Sequence, residues 1–332
     1  MTTLPHTLGA KALQDLVLDA AQRDVAQSAD VTGILWLEHI NLVVGSRPLA
    51  ERFYFDLLGF SKDKSPSFHC NLGQQQFHLA ESGDPAQKVT GSIGLIVPSL
   101  ETLRKRVDLV KEDLKGTQFE IVQDAGDTMT IICPWGNRLH LYDAEQESQS
   151  LKPTSDSPQK MVKLHADGGA YAANRMAVRG QPGIRYIEIT CRPGSTAAIC
   201  DFYREMIGCS VSKPQNGQAV VCVGPGVHLA YVEDESLQES DSKAMEGVHI
   251  CVYAQGFKGL YDRLKSKNLI WTNPRFTHLD SCDTWEEALA SRTLRFKDIL
   301  DLSTGEKVME LEHETRPLRH GQYLKVPYYE PK

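Results

Sequence analysis

The sequence is short of several features that would have fixed its class at once. No apolar run in its 332 residues approaches the roughly 18 needed to cross a membrane, so no membrane partner is expected. It has no basic stripe with interleaved aromatics, and its formal charge of −7 argues against a phosphate-backbone ligand, so no nucleic acid is expected either. The eight cysteines (Cys70, Cys133, Cys191, Cys200, Cys209, Cys222, Cys251, Cys282) include no Cys-x-x-Cys pair, which leaves neither a zinc ribbon nor a disulfide framework. Most sit in apolar runs, where a free thiol behaves as a small buried hydrophobe. The opening stretch MTTLPHTLGAKALQDLVLDAAQRD has no basic region followed by an apolar one, and so does not read as a secretory signal. A reducing, cytoplasmic setting is the simplest expectation.

What is present is ordinary in bulk and unusual in pattern. With 41% hydrophobic and 24% charged residues the chain reads as globular, and its length suits two domains. The pattern is a repeat: FYFDLLG at 53–59 returns 149 positions later as FYREMIG at 202–208. Around the first copy, LEHINLVV (37–44) alternates with a two-residue period, as a half-buried strand does. Leu49, Phe53 and Leu57 then share one helix face, and Gly59 closes that helix. Two short strands follow around Gly73. GSIGLIVPS, the helix 100–114 and three more strands repeat that layout without the motif, and residues 184–233 and 247–314 do so twice more. Between the halves lies 145–182, rich in Ser, Pro, Gln and charge, which reads as a linker. Leu13, Leu16, Val17 and Ala20 recur at helical spacing and predict a helical extension over 1–33. The tail 316–332, with Pro317, Pro327 and Pro331, reads as extended.

The segment DSCDTWEEALASR (280–292) interrupts the hairpin expected in the last repeat. Its Trp285, Ala288 and Leu289 predict a short inserted helix, which either shapes a pocket or decorates the surface.

Four βαβββ units, a helix ending Phe-Tyr-x-x-x-Leu-Gly and a closing Gly-Asn-x-x-x-Leu strand resemble the vicinal oxygen chelate superfamily. Its members include glyoxalase I, extradiol dioxygenases and bleomycin resistance proteins. The resemblance implies an α+β fold of two tandem half-barrel domains, 34–144 and 183–315. It also implies a divalent metal held by residues of the first and last strands of the units. In the second half those positions are Glu188, His228, His249 and Glu310, a mixed nitrogen and oxygen set that suits Fe, Ni, Mn, Co or Zn. A two-residue shift would put Tyr186 in the place of Glu188, and the strand register could pass the role of Glu310 to Glu312. His313 points the other way and reads as structural.

In the first half the matching positions are His39, His78, Ser92 and His140, a weaker set without its carboxylate. His78 and His228 both precede Leu-Ala, so a packing role shared by the two copies stands beside a ligand role.

The function this implies is a glyoxalase-like lyase or isomerase acting on a small oxygen-chelating substrate. Its site would lie in the second half, with Glu188 or Glu310 as the base. An Fe(II) ring-cleaving dioxygenase is the alternative, with His278 and Tyr253 as outer partners. It lacks a first-strand histidine in the second half. A metal-free protein that sequesters a ligand is the third reading. The family completes its cups either within one chain or across a homodimer, and both arrangements are expectations here.

Overall fold

The computed structural model describes residues 9–13, 33–63, 67–73, 75–144, 182–212, 214–224, 226–238, 243 and 245–323. Most of the N-terminal extension, nearly all of the linker and the tail past Tyr323 lie outside the described residues. Fourteen strands among these residues build four units. The first unit holds β1 (Ile34–Val44), β2 (Ser61–Lys62), β3 (His69–Leu72) and β4 (Gln75–Glu81). In the second are β5 (Ser92–Val97), β6 (Glu120–Asp124), β7 (Thr128–Ile132) and β8 (Arg138–Asp143). The third has β9 (Gly183–Cys191), β10 (Gln218–Gly224) and β11 (Val227–Glu233), and the fourth β12 (His249–Ala254), β13 (Leu294–Leu300) and β14 (Lys307–Pro317). One helix follows the first strand of each.

In every unit the first and last strands lie parallel and side by side, as β1 with β4 and β12 with β14. The helix carries the chain back across the sheet, which parallel neighbours require. The last two units keep only three strands. In the third, the missing edge strand shrinks to a bridge between Val211 and Val221. In the fourth, residues 271–283 and the helix Trp285–Ser291 take its place. Pro214 and Pro274 fall in these stretches, and proline cannot donate to a ladder. The inserted helix expected from the sequence is present, opened by a capping box between Thr284 and Glu287.

Units join through their first strands, β1 antiparallel to β12 and β5 antiparallel to β9. The two seven-stranded sheets therefore run β13-β14-β12-β1-β4-β3-β2 and β10-β11-β9-β5-β8-β7-β6. Each sheet takes one unit from each half of the chain: the first pairs with the fourth, and the second with the third. The joining strands β9 and β12 are buried along their whole length, β9 with Arg185 and Glu188 among its residues. No helix among the described residues is long and apolar enough to cross a membrane.

The duplicated motif has a common structural reason. Both helices widen near their ends, where Leu58 N donates to Phe53 O and Gly208 N to Tyr203 O, each five residues back. That π-type turn points both aromatics of the pair inward, and Phe53, Tyr54, Phe202 and Tyr203 are all buried. The glycines then turn the chain at φ +74° and +89°, which L side chains resist. A Cβ at Gly208 would meet only ordinary contacts with Gly33. Gly208→Ala should therefore report backbone strain alone, a loss of about 1 kcal/mol in denaturant unfolding.

Candidate metal centre

The antiparallel seam between the first and fourth units brings the first histidines together. On it Asn41 faces His249 and His39 faces Cys251, so the two histidines are diagonal neighbours. Their ring centroids are 5.8 Å apart at 70°. The third member comes from β14, whose parallel register with β12 sets Glu312 beside His249 and Glu314 beside Cys251. Glu314 Oε2 lies 3.6 Å from His249 Nε2 and 3.9 Å from His39 Nε2. One donor atom from each of the three residues lies within 4.8 Å of the other two. All three are almost closed to solvent, at 1%, 1% and 5% exposure.

The donor chemistry fits a divalent cation. Glu38 Oε2 sits 3.1 Å from His39 Nδ1. A proton on Nδ1 makes that hydrogen bond and leaves Nε2 with its lone pair, the usual way an outer carboxylate fixes a metal-binding imidazole. His39 Nε2 is buried and has no hydrogen-bond partner. Such an orphan is costly unless something else takes its lone pair. Glu314, which burial alone would raise, is held well below the usual carboxylate range by Arg316 and Arg295. Burial pushes His249 well below its ordinary value, so it stays neutral.

Charge points the same way. Four buried carboxylates, Glu38, Asp280, Glu312 and Glu314, face the buried guanidinium of Arg295 and the partly buried one of Arg316. Fully ionised, that leaves two negative charges, the complement of one dication. Burial also raises Asp280 and Glu312, against the pull of Arg295 on both. A second trio, Glu38, His39 and Cys251, has suitable spacing. Burial drives the Cys251 thiol well above its normal range, which makes it the poorer donor set.

The residues singled out from the sequence are thus distributed differently from the expected grouping. His39 and His249 come together across the halves. Glu310 lies on the same strand but reaches Lys297 at 3.1 Å and Lys307 at 2.9 Å. Glu312 accepts from Asn273 and Arg295. His78 stacks on His39 with centroids 3.6 Å apart, stacks on His69 at the same distance, and has Nε2 2.8 Å from Gln76 Oε1. Tyr253 is a hydrogen-bond partner of Glu38, and His278 is exposed. His313 lies on the opposite face of β14, stacked on Phe296 and bonded to Tyr203, and is structural as expected.

Glu188, His228, His140 and Ser92 belong to the other sheet. There Glu188 pairs with the Ser92 hydroxyl. Tyr186 occupies space that a side chain at Gly94 would need, since a Cβ there would fall 2.3 Å from its ring. His140 Nδ1 lies 3.1 Å from the Tyr186 hydroxyl, which is 2.6 Å from that of Tyr142, and Tyr142 donates to Ala10 O at 2.8 Å. This second cup is filled by its own side chains and by the N-terminal segment.

Glu314 and the two arginines were missed from the sequence. The only local signal for them is the charge alternation Glu310, Glu312, Glu314, Arg316 on one strand face.

Neither a family model nor a curated protein matches the sequence. Among solved structures, glyoxalase I from Zea mays matches over 85% of this chain and 92% of its own, at 11% identity and a TM-score of 0.46. The 2,3-dioxygenase LapB from Pseudomonas sp. KL28 matches over 91% and 96%, at 14% identity and a TM-score of 0.27. At these values the likenesses carry no functional argument. The fold itself is α+β, four strand–helix–strand units forming two mixed seven-stranded sheets.

Proposed function

We propose that this chain is a divalent-metal enzyme of the non-haem iron type. It would hold the ion through His39, His249 and Glu314 and act on a small substrate with adjacent oxygens. The observation that carries this reading is the buried convergence of two imidazoles and one carboxylate around an orphaned nitrogen. Two histidines and a carboxylate leave several coordination positions open, the donor set of ferrous oxygenases. A ferrous ion supplies Lewis acidity towards a chelating substrate and electrons towards dioxygen. The chain does the rest. Glu38 fixes the tautomer of His39, the two arginines keep Glu314 ionised, and burial keeps His249 neutral, so the donors stand ready without shedding protons.

The lyase or isomerase reading requires a carboxylate base beside the chelated substrate. Its sequence candidates are engaged elsewhere, Glu310 by two lysines and Glu188 by Ser92 in the other sheet. Glu312, the nearest substitute, already accepts three hydrogen bonds. A purely sequestering cup has no use for a costly cluster of buried charge.

Oxygen uptake separates these readings. After anaerobic loading with Fe(II), the protein should consume oxygen with a catechol-type substrate, and His249→Ala should not. Isomerisation of α-hydroxycarbonyl compounds without oxygen uptake would reverse the assignment.

A further inference from the structure

The three ligands proposed above are shut off from solvent, so a substrate has to be admitted. Near His249 the covering belongs to neither sheet. It is the segment 272–283, which stands where the fourth unit lacks its edge strand. Its side chains hold it to the cup, among them Arg275, whose Nη2 reaches Gly247 O at 3.2 Å, and Cys282, whose Sγ lies 3.4 Å from Arg295 N. Asn273 Nδ2 lies 2.9 Å from both oxygens of Glu312. Phe276 sets its ring 5.7 Å from that of His249, edge-on at 81°, with the Arg295 guanidinium 4.7 Å over its face. Asp280 Oδ2 receives Arg295 Nε at 3.0 Å and Nη2 at 2.7 Å.

The same Nη2 reaches Glu314 Oε2 at 2.8 Å. One guanidinium therefore grips the covering segment and the carboxylate ligand together. Within 273–280 the main chain is held only locally, with Phe276 N donating to Asn273 O and Leu279 N and Asp280 N to Phe276 O, while Ser281 O and Asp283 O beyond it accept from Ser291, Tyr261 and Lys265. Asp280 Oδ1 is buried without a hydrogen-bond partner, which weakens the closed state. Leu279 is 68% exposed, so the tip buries little apolar surface to hold it down.

We propose that residues 273–280 form a hinged roof over the metal centre, with Phe276 as the gate and the Arg295–Asp280 pair as its latch. Arg295 is then a positioning residue that couples the state of the roof to Glu314. This rests on the metal-centre reading of His39, His249 and Glu314. With the latch released, Arg295 keeps only Nη1 on Glu312 and Nη2 on Glu314, so opening and ligand placement change together.

Two measurements test it. The first is amide hydrogen exchange, which needs no metal. In the wild type, Phe276, Leu279 and Asp280 should exchange as one group and faster than β12 and β14, and Asp280→Asn should speed them roughly tenfold. The second is stopped-flow uptake of Co2+ by the metal-free protein and its release to EDTA. Asp280→Asn and Phe276→Ala replace no ligand atom, so each should raise both rates by roughly tenfold. Arg295→Lys keeps the charge but cannot span Asp280 and Glu314, so it should speed release more than uptake. Exchange of 276–280 only in step with the sheet, or unchanged Co2+ rates in both loop variants, would overturn the roof. Wild-type protein that takes up no Co2+ overturns the metal centre itself, which the exchange data cannot mimic.

Discussion

Glu314→Gln should strip the protein of metal, whereas Glu310→Gln should leave the metal content unchanged. Losing even an outer partner of a metal ligand costs 10- to 100-fold in affinity, roughly, so loss of the one carboxylate donor should exceed about 100-fold. Elemental analysis of protein purified from metal-supplemented growth reads this directly. Glutamine keeps the shape of Glu314 but removes the charge facing Arg295 and Arg316, and that alone destabilises a buried network. His249→Ala is the companion variant, since it removes a neutral ligand and leaves both arginine pairs intact. Glu310 bonds two partly exposed lysines, so its replacement costs under about 1 kcal/mol of stability. Metal lost from Glu314→Gln and His249→Ala but kept in Glu310→Gln supports the cross-half centre. Metal lost from Glu310→Gln and kept in Glu314→Gln would return the site to its sequence-based grouping.

The repeat and the strand–helix–strand order were legible because they depend on short-range patterns. Phe53-Tyr54 and Phe202-Tyr203 mark widened helix ends, and Gly59 and Gly208 stop them at positive φ. Both candidate histidines were legible one at a time, each on the first strand of a unit. Their partnership was not. His39 and His249 lie 210 positions apart, and only the antiparallel seam of β1 with β12 makes them neighbours. Glu310, Glu312 and Glu314 are indistinguishable by a period of two. What separates them is the register against β12, Lys297 and Lys307 at one end, and Arg295 and Arg316 at the other. Glu188 and His228 join His249 in the expected set because the resemblance assigns one site to each half of the chain. Their strands sit in the sheet that pairs the second unit with the third.

Acid should unfold this protein by a route that the second cup makes explicit. Burial pulls His140 down to about 4 from an ordinary 6.5. Its neutral ring suffices for the chain of hydrogen bonds, because Nδ1–H can donate to Tyr186, Tyr186 to Tyr142 and Tyr142 to Ala10 O. In the unfolded chain the imidazole takes a proton near pH 6.5, while in the folded chain it refuses one until about pH 4. Its contribution is therefore complete above 6.5 and is lost as pH falls through that window. The loss amounts to about 2 kcal/mol by pH 5 and about 3 kcal/mol once both forms are protonated. His313, fully enclosed and also pushed to about 4, acts in the same direction. Urea unfolding at pH 7 and pH 5 measures the slope, and His140→Gln isolates one site, since an amide can bond Tyr186 but cannot titrate. The variant should lose about 2 kcal/mol less than the wild type between the two pH values, whatever its stability at pH 7. Parallel pH curves for the two proteins would mean that His140 charges as readily folded as unfolded, and that the second cup admits water or a ligand beside it.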